Sequence, residues 1–237
     1  MKKKFLKIVG GVFLVIILLL IAAPFFLKGK IAGIIKDKVN NNINATFDFS
    51  EADLTLFSSF PDATVTLDNI TLINKTPFEG DTLFASDRVS LDMSIKELFK
   101  DASEPIAIKS LILERPLINI KVDKEENANY DIAVEDGSSP DTASSESSFN
   151  LSMESYTINN AAINYDDLSS GMSFAITEMN HSGKGDLSLE NSELDTESSG
   201  LVSFVMDSTQ YLNKNPVQLK ALIGVDLKES KYTLLKN

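Results

Sequence analysis

The sequence predicts a mainly β protein. An N-terminal transmembrane helix and a short amphipathic helix lead into a repeated, curved, antiparallel β-sheet that is groove-like. Three observations predict it. Apolar and polar residues alternate through most of the chain after residue 45, and alternation puts the apolar set on one face of a strand. A spacing of four apolar positions, in steps of two, three and two, recurs along the chain. A single long apolar run stands apart from both, at the N-terminus.

That run extends from Ile8 to Leu27. At about 1.5 Å per helical residue it spans about 30 Å, the thickness of a hydrocarbon core. Lys2, Lys3, Lys4 and Lys7 precede it, and only Lys28 and Lys30 follow closely. The positive-inside rule then sets the N-terminus in the cytoplasm and the bulk of the chain across the membrane. A cleaved signal peptide is the competing reading, but its apolar region is usually shorter, and Ala22-Ala23-Pro24 is a poor cleavage site. Residues 1–29 are therefore read as cytoplasmic tip and anchor. Residues 30–44 follow as an amphipathic helix, with Ile31, Ile34, Ile35, Val39 and Ile43 near one face.

Residues 45–237 form the β domain. Phe47 and Phe49, then Leu54 and Leu56, open the alternation. The first copy of the repeat is Val65, Leu67, Ile70 and Leu72. Val89, Leu91, Met93 and Ile95 alternate without a break, and a helical turn closes them at Lys96 to Phe99. The second copy is Ile106, Ile108, Leu111 and Leu113, at an offset of 41, and it continues through Ile118 and Ile120. The third is Leu151, Met153, Tyr156 and Ile158, at a further offset of 45, and it continues through Ile163 and Tyr165. A fourth reads Phe174, Ile176 and Met179, with His181 in the last slot. The step of three breaks the phase of a strand, as a bulge or tight corner does. Pro116 belongs at a strand start or edge.

Between the second and third copies lies EDGSSPDTASSESS, Glu135 to Ser148, acidic and low in complexity. It lacks the apolar surface to offset its ordering entropy and is expected to be a flexible loop joining two strands of one sheet. Glu190 to Gly200 also reads as a loop, and His181 to Gly185 as a turn. Val217, Leu219, Ala221, Ile223, Val225 and Leu227 alternate, and a final strand starts near Tyr232 with no visible partner, as in a chain that belongs to a longer protein.

Net charge is −12, unevenly placed. Residues 1–40 hold eight lysines against one aspartate, and the remainder carries a balance of −19. Such a surface repels nucleic acid and is most simply a solubility device. There is no cysteine and only one histidine, so thiol chemistry is excluded and a Ser-His-Asp site would have to use His181. No catalytic, cofactor or metal motif appears. Asp166-Asp167, and Asp131 with Glu135-Asp136, match no calcium loop and read as solvated turns.

Taken in order, the elements resemble the N-terminal region of the AsmA family of bacterial envelope proteins. The likeness is carried by the anchor, IAGIIKDKVNN, FDFSEADLTLFSSFPDATVTLDNITLIN, LFASDRVSLDMSIKELF, IAIKSLILERPLINIKVDKEENANYDI, INNAAINYDD and NPVQLKALIGVDLKESKYTLLKN. The resemblance implies an inner-membrane anchor with a periplasmic β domain, a link to outer-membrane biogenesis, and kinship with bridge-like lipid carriers whose β units form an apolar groove. It implies phospholipid as ligand and transfers no catalytic motif.

The lipid-groove candidates are Val65, Leu67, Ile70, Leu72, Val89, Leu91, Met93, Ile95, Ile106, Ile108, Leu111, Leu113, Ile118 and Ile120. The alternative for these residues is the closed core of a sandwich or a sheet–helix layer. The alternative for the protein is a scaffold that contacts outer-membrane or periplasmic assembly proteins.

Overall fold

The computed structural model describes residues 32–33, 35–56, 61–100, 107–134, 153–186, 191–226, 228–229 and 231–237. The predicted anchor with Lys2, Lys3, Lys4 and Lys7, the candidate Ile106 and the acidic stretch 135–148 lie outside them. Among the described residues no helix is long and apolar enough to cross a membrane.

Most of the described residues after helical residues 35–40 are strand. The strands are β1 (Ala45–Asp48), β2 (Glu51–Thr55), β3 (Asp62–Asn74), β4 (Thr82–Ser94), β5 (Ser110–Glu114), β6 (Leu117–Val122), β7 (Ser155–Asp167), β8 (Met172–Lys184), β9 (Asn191–Met206), β10 (Thr209–Asp226) and β11 (Lys231–Lys236). A 3-10 turn, Ile95–Phe99, closes β4, with the Ser94 side chain accepting from the Lys96 N–H. All eleven strands belong to one sheet, ordered β1-β3-β4-β5-β7-β8-β9-β10-β11. β2 continues the line of β1 along β3, and β6 continues the line of β5 between β4 and β7.

The sheet is mixed, which corrects the antiparallel expectation. β5 and β6 run parallel to β7, and every other pairing is antiparallel. Parallel neighbours need a crossover of a dozen or more residues, and the long segment from Asp123 to Glu154 supplies it. The repeat offset of 45 is the register of this pairing. Leu111, Leu113, Ile118 and Ile120 lie directly opposite Tyr156, Ile158, Ile163 and Tyr165. The same offset aligns two side-chain bonds, from the Asn159 amide to Glu114 at 2.8 Å and from the Asn164 amide to Asn119 Oδ1 at 2.9 Å.

The phase break is a bulge that recurs strand after strand. Asn69, Arg115, Asn160 and Glu178 all have positive φ, between 47 and 53°. The register skips at Asn160 and Glu178, and β5 gives way to β6 at Arg115. Neighbouring breaks adjoin. Arg115 pairs with Asp87 beside Asn69, and the Asn160 N–H donates to Asn180 Oδ1 at 3.1 Å. Together they form a crease that crosses the sheet from β3 to β8 and meets β9 at Gly200. A Cβ there would lie 3.0 Å from Ile176 Cγ2 and 3.4 Å from the Met179 Cα.

The crease corrects the frame of two copies. The first and fourth copies have their step of three at the bulge, but in β5/β6 the matching slots are Leu111, Leu113, Pro116 and Ile118, and in β7 they are Tyr156, Ile158, Ala161 and Ile163. The first and second copies are thus 46 residues apart, not 41. Three further expectations are corrected. Glu190 to Gly200 is not a loop, because Asn191 onward is strand, laddered to β8 and β10. His181 to Lys184 lie within β8 rather than in a turn. The last strand has a partner: Tyr232 lies opposite Val225 of β10.

Candidate functional site: one apolar face of the sheet

Directly opposed residues project to the same face of a sheet, so the register sorts side chains into transverse rows. One row runs Leu54, Val65, Leu91, Leu111, Tyr156, Gly183, Thr196 and Ala221. The next runs Ala52, Leu67, Val89, Leu113, Ile158, His181, Ser198 and Leu219. Across the crease a third runs Phe47, Leu72, Phe84, Ile118, Ile163, Ile176 and Val202. A fourth joins Ile120, Tyr165, Phe174, Phe204 and Leu212. The interleaved rows are mostly polar: Thr64, Asp92, Ser110, Ser155, Lys184 and Asp195, or Asp68, Arg88, Glu114 and Asn159. The sheet therefore has one apolar and one polar face.

Burial grades along the apolar face. Val65, Leu67, Ile70, Val89, Met93 and Ile108 are buried. Phe49, Leu54 and Leu56 complete a core against which Ala32 and Ile35 of the N-terminal helix and Ile95 and Leu98 of the 3-10 turn are packed. Leu72, Leu91, Leu111, Leu113, Ile118 and Ile120 are only partly buried, as are Ile158, Ile163, Phe174, Ile176, Val202 and Phe204. Leu219 is 47% exposed. The face is thus closed at the β2–β4 end, and its large side chains are more open toward β10, where the smaller Thr196 and Ala221 are nonetheless buried.

The lid over the closed end is fixed by polar contacts. The Asn40 side chain donates to the Phe47 carbonyl at 2.9 Å and accepts from the Phe47 N–H at 2.8 Å. Lys36 pairs with Asp48, and its ammonium lies 4.5 Å from the Phe49 ring centroid.

The candidate residues reach this face by different routes. Val65, Leu91 and Leu111 share one row, Leu67, Val89 and Leu113 the next, and Leu72 and Ile118 the third. Met93 lies opposite Ala63, Ile95 sits in the 3-10 turn, and Ile108 precedes β5. The half-exposed set on β7 to β10 is the part the candidate list lacks. The spacing Tyr156, Ile158, Ala161 and Ile163 was its signal.

One polar group interrupts the apolar rows. Tyr156 Oη and His181 Nε2 are 2.7 Å apart, and His181 Nδ1 lies 2.7 Å from Ser198 Oγ. Gly183 makes room for it, because a Cβ there would come within 2.4 Å of the Tyr156 ring. Burial pushes the His181 pKa below its ordinary 6.5 and raises that of the Tyr156 phenol. His181 is thus neutral at pH 7.

Below 6.5 the unfolded chain binds the proton more readily than the folded one. This histidine's contribution is therefore complete above 6.5 and is lost as pH falls toward the folded pKa. Thermal unfolding should occur at lower temperature as the pH drops below 6.5, and His181→Gln should flatten that slope. An unchanged slope in the variant would assign the effect to carboxylates.

The acidic turn after β7 is self-satisfied. Asp167 accepts from the N–H and hydroxyl groups of Ser169 and Ser170, which hold its pKa down to about 2. Ser173 Oγ donates to Asp166.

Among known proteins, the model of one family, described as AsmA family, matches residues 1–215. No curated protein and no solved structure matches the chain.

Proposed function

Because the chain belongs to the AsmA family, we propose that it is an inner-membrane-anchored periplasmic protein that contributes to outer-membrane biogenesis by carrying phospholipid on its apolar β face. Membership of the family fits a role in the cell envelope in general. The observation that carries the finer reading is the gradient of burial. The apolar rows run from the packed end toward β10, interrupted by the Tyr156–His181–Ser198 group, and from β5 onward their large apolar side chains are only partly covered, although Ala161, Thr196 and Ala221 are buried. A face of this kind gains free energy from an apolar occupant, at about 0.8 kcal/mol per buried methylene. Topology follows from the N-terminal charge bias, with lysines before the apolar run and an acidic domain after it. The role is one of binding, without catalysis.

The test is phospholipid analysis of the full chain purified from bacterial membranes, beside a variant carrying Ile163→Glu and Val202→Glu in the half-exposed third row. A stoichiometric excess of phospholipid on the parent, with both proteins unfolding cooperatively, is expected. Equal lipid on both would sink the carrier reading.

A second reading, a scaffold for envelope assembly proteins, is favoured by the sheet edge. β11 pairs only with Leu222 to Asp226, so among the described residues the side of β10 away from β9 has no partner strand from Thr209 to Ala221. Proline substitutions along that edge should impair a scaffold and spare lipid binding.

A further inference from the structure

His181 and Ser198 sit in the row of Leu67, Val89, Leu113 and Ile158, with Tyr156 in the adjacent row, on a face lined mostly by aliphatic and aromatic side chains. The protons of this Tyr156–His181–Ser198 chain can be counted. A neutral imidazole has one N–H, and the two hydroxyls bring one O–H each. Three protons serve two contacts, so one hydroxyl proton is unspent whichever tautomer is present. With the ring proton on Nδ1, the nitrogen that faces Ser198 of β9, the hydroxyl proton left over is that of Ser198. Tyr156 then donates to Nε2, Nδ1–H points toward β9, and the Ser198 hydroxyl is the free donor.

Ser198 lies opposite Leu219, which is 47% exposed, so the donor faces the open end of the apolar surface. Among the described residues its own row holds no ionised side chain, and Asp167 shares the face only at the far end of β7. Glu197 pairs with Lys220 at 3.0 Å in the interleaved row, and Lys184 and Asp195 oppose each other there too. Along the strand, the distance from His181 to Phe174 is about 23 Å at about 3.3 Å per residue. That approximates an extended acyl chain, and the residues over that distance are Ile176 and Phe174 on β8 with Val202 and Phe204 beside them.

We propose that Ser198, oriented by His181 and Tyr156, is the seat for the polar end of a diacyl phospholipid, donating to an ester or phosphate oxygen while the acyl chains lie across the crease along Ile176, Val202 and Phe204. This rests on the carrier reading above. It adds a fixed orientation, with the headgroup toward the Ser198 row and the tails toward the Phe174 row.

The experiment uses the full chain in its membrane, in cells whose phospholipid carries labelled phosphorus. Benzoylphenylalanine replaces Leu219 in one protein and Val202 in another, and labelled adducts are counted after illumination. Adducts at both positions are expected. Ser198→Ala should reduce the Leu219 adduct about fivefold and leave the Val202 adduct in place, and Ser198→Thr, which keeps the hydroxyl, should restore it. An adduct at Leu219 unchanged by Ser198→Ala overturns the polar seat and leaves the carrier reading standing. No adduct at either position in the parent overturns both.

Discussion

Replacing Asn129 by alanine should cost about 3 kcal/mol or more of unfolding free energy. Asn129 is among the most completely buried side chains described. Its Oδ1 accepts from the Lys121 N–H at 2.9 Å, and its Nδ2 donates to the Asn119 carbonyl at 2.8 Å. Its own carbonyl accepts from the buried Asn74 amide at 2.6 Å. The amide thus pins the segment after β6 to β6 itself and to the end of β3. That segment in turn bridges Ala133 to Ile43, next to β1. Alanine would leave one buried donor and one buried acceptor on β6 without partners, at about 1–3 kcal/mol each. Asn129→Asp, which keeps only the acceptor and adds a buried charge, should be worse. Denaturant unfolding of the full chain in micelles would measure both. A cost below about 1 kcal/mol for alanine would show that water replaces the amide.

Leu67→Ala and Leu219→Ala should differ sharply although both lie in one row. Leu67 is 4% exposed within the core cluster, and its truncation should cost roughly 2–5 kcal/mol through lost burial and a cavity. Leu219, at 47% exposure, should cost about 0.5 kcal/mol or less. If the open face is the binding surface, the same substitution should weaken phospholipid retention. Similar stability losses at both sites would mean that something covers β10 as fully as the helix and 3-10 turn cover β3. Hydrogen exchange would give an independent check, with slow exchange in β3 and fast exchange in the outer half of β10.

The strands that pack hardest were the most legible. In β3 the bulge at Asn69 shows because apolar residues flank it at Leu67 and Ile70. In β5/β6 and β7 the equivalent slots hold Pro116 and Ala161, which do not stand out in an apolar tally, so the apolar rhythm shows five residues too early. Alternation records which face a residue takes but not the direction of its neighbour. The parallel pairing was therefore hidden, although the repeat at 45 residues was its register. Val202 to Met206 reads as a strand from its own pattern, but the first part of β9 does not, because NSELDTESSG is polar on both faces and its strand form comes from its ladders with β8 and β10. His181 was placed in its slot from spacing alone. Its partners Tyr156 and Ser198 lie on other strands and come together only through register.

The crease has a mechanical consequence. Bending a sheet about a line that crosses its strands distorts the extended backbone of every strand at once, and a bulge is where such a distortion is accommodated. At Arg115, Asn160 and Glu178 the ladder is already interrupted, and side chains such as Asn180 supply hydrogen bonds that tolerate a change of angle. The interruption stops short of β10, whose ladder with β9 runs unbroken from Asn215 to Asp226, so the line crosses the middle strands of the sheet and is tied off toward its open edge. The rows on either side of it carry different linings, with Ser198 on one side and Val202 on the other.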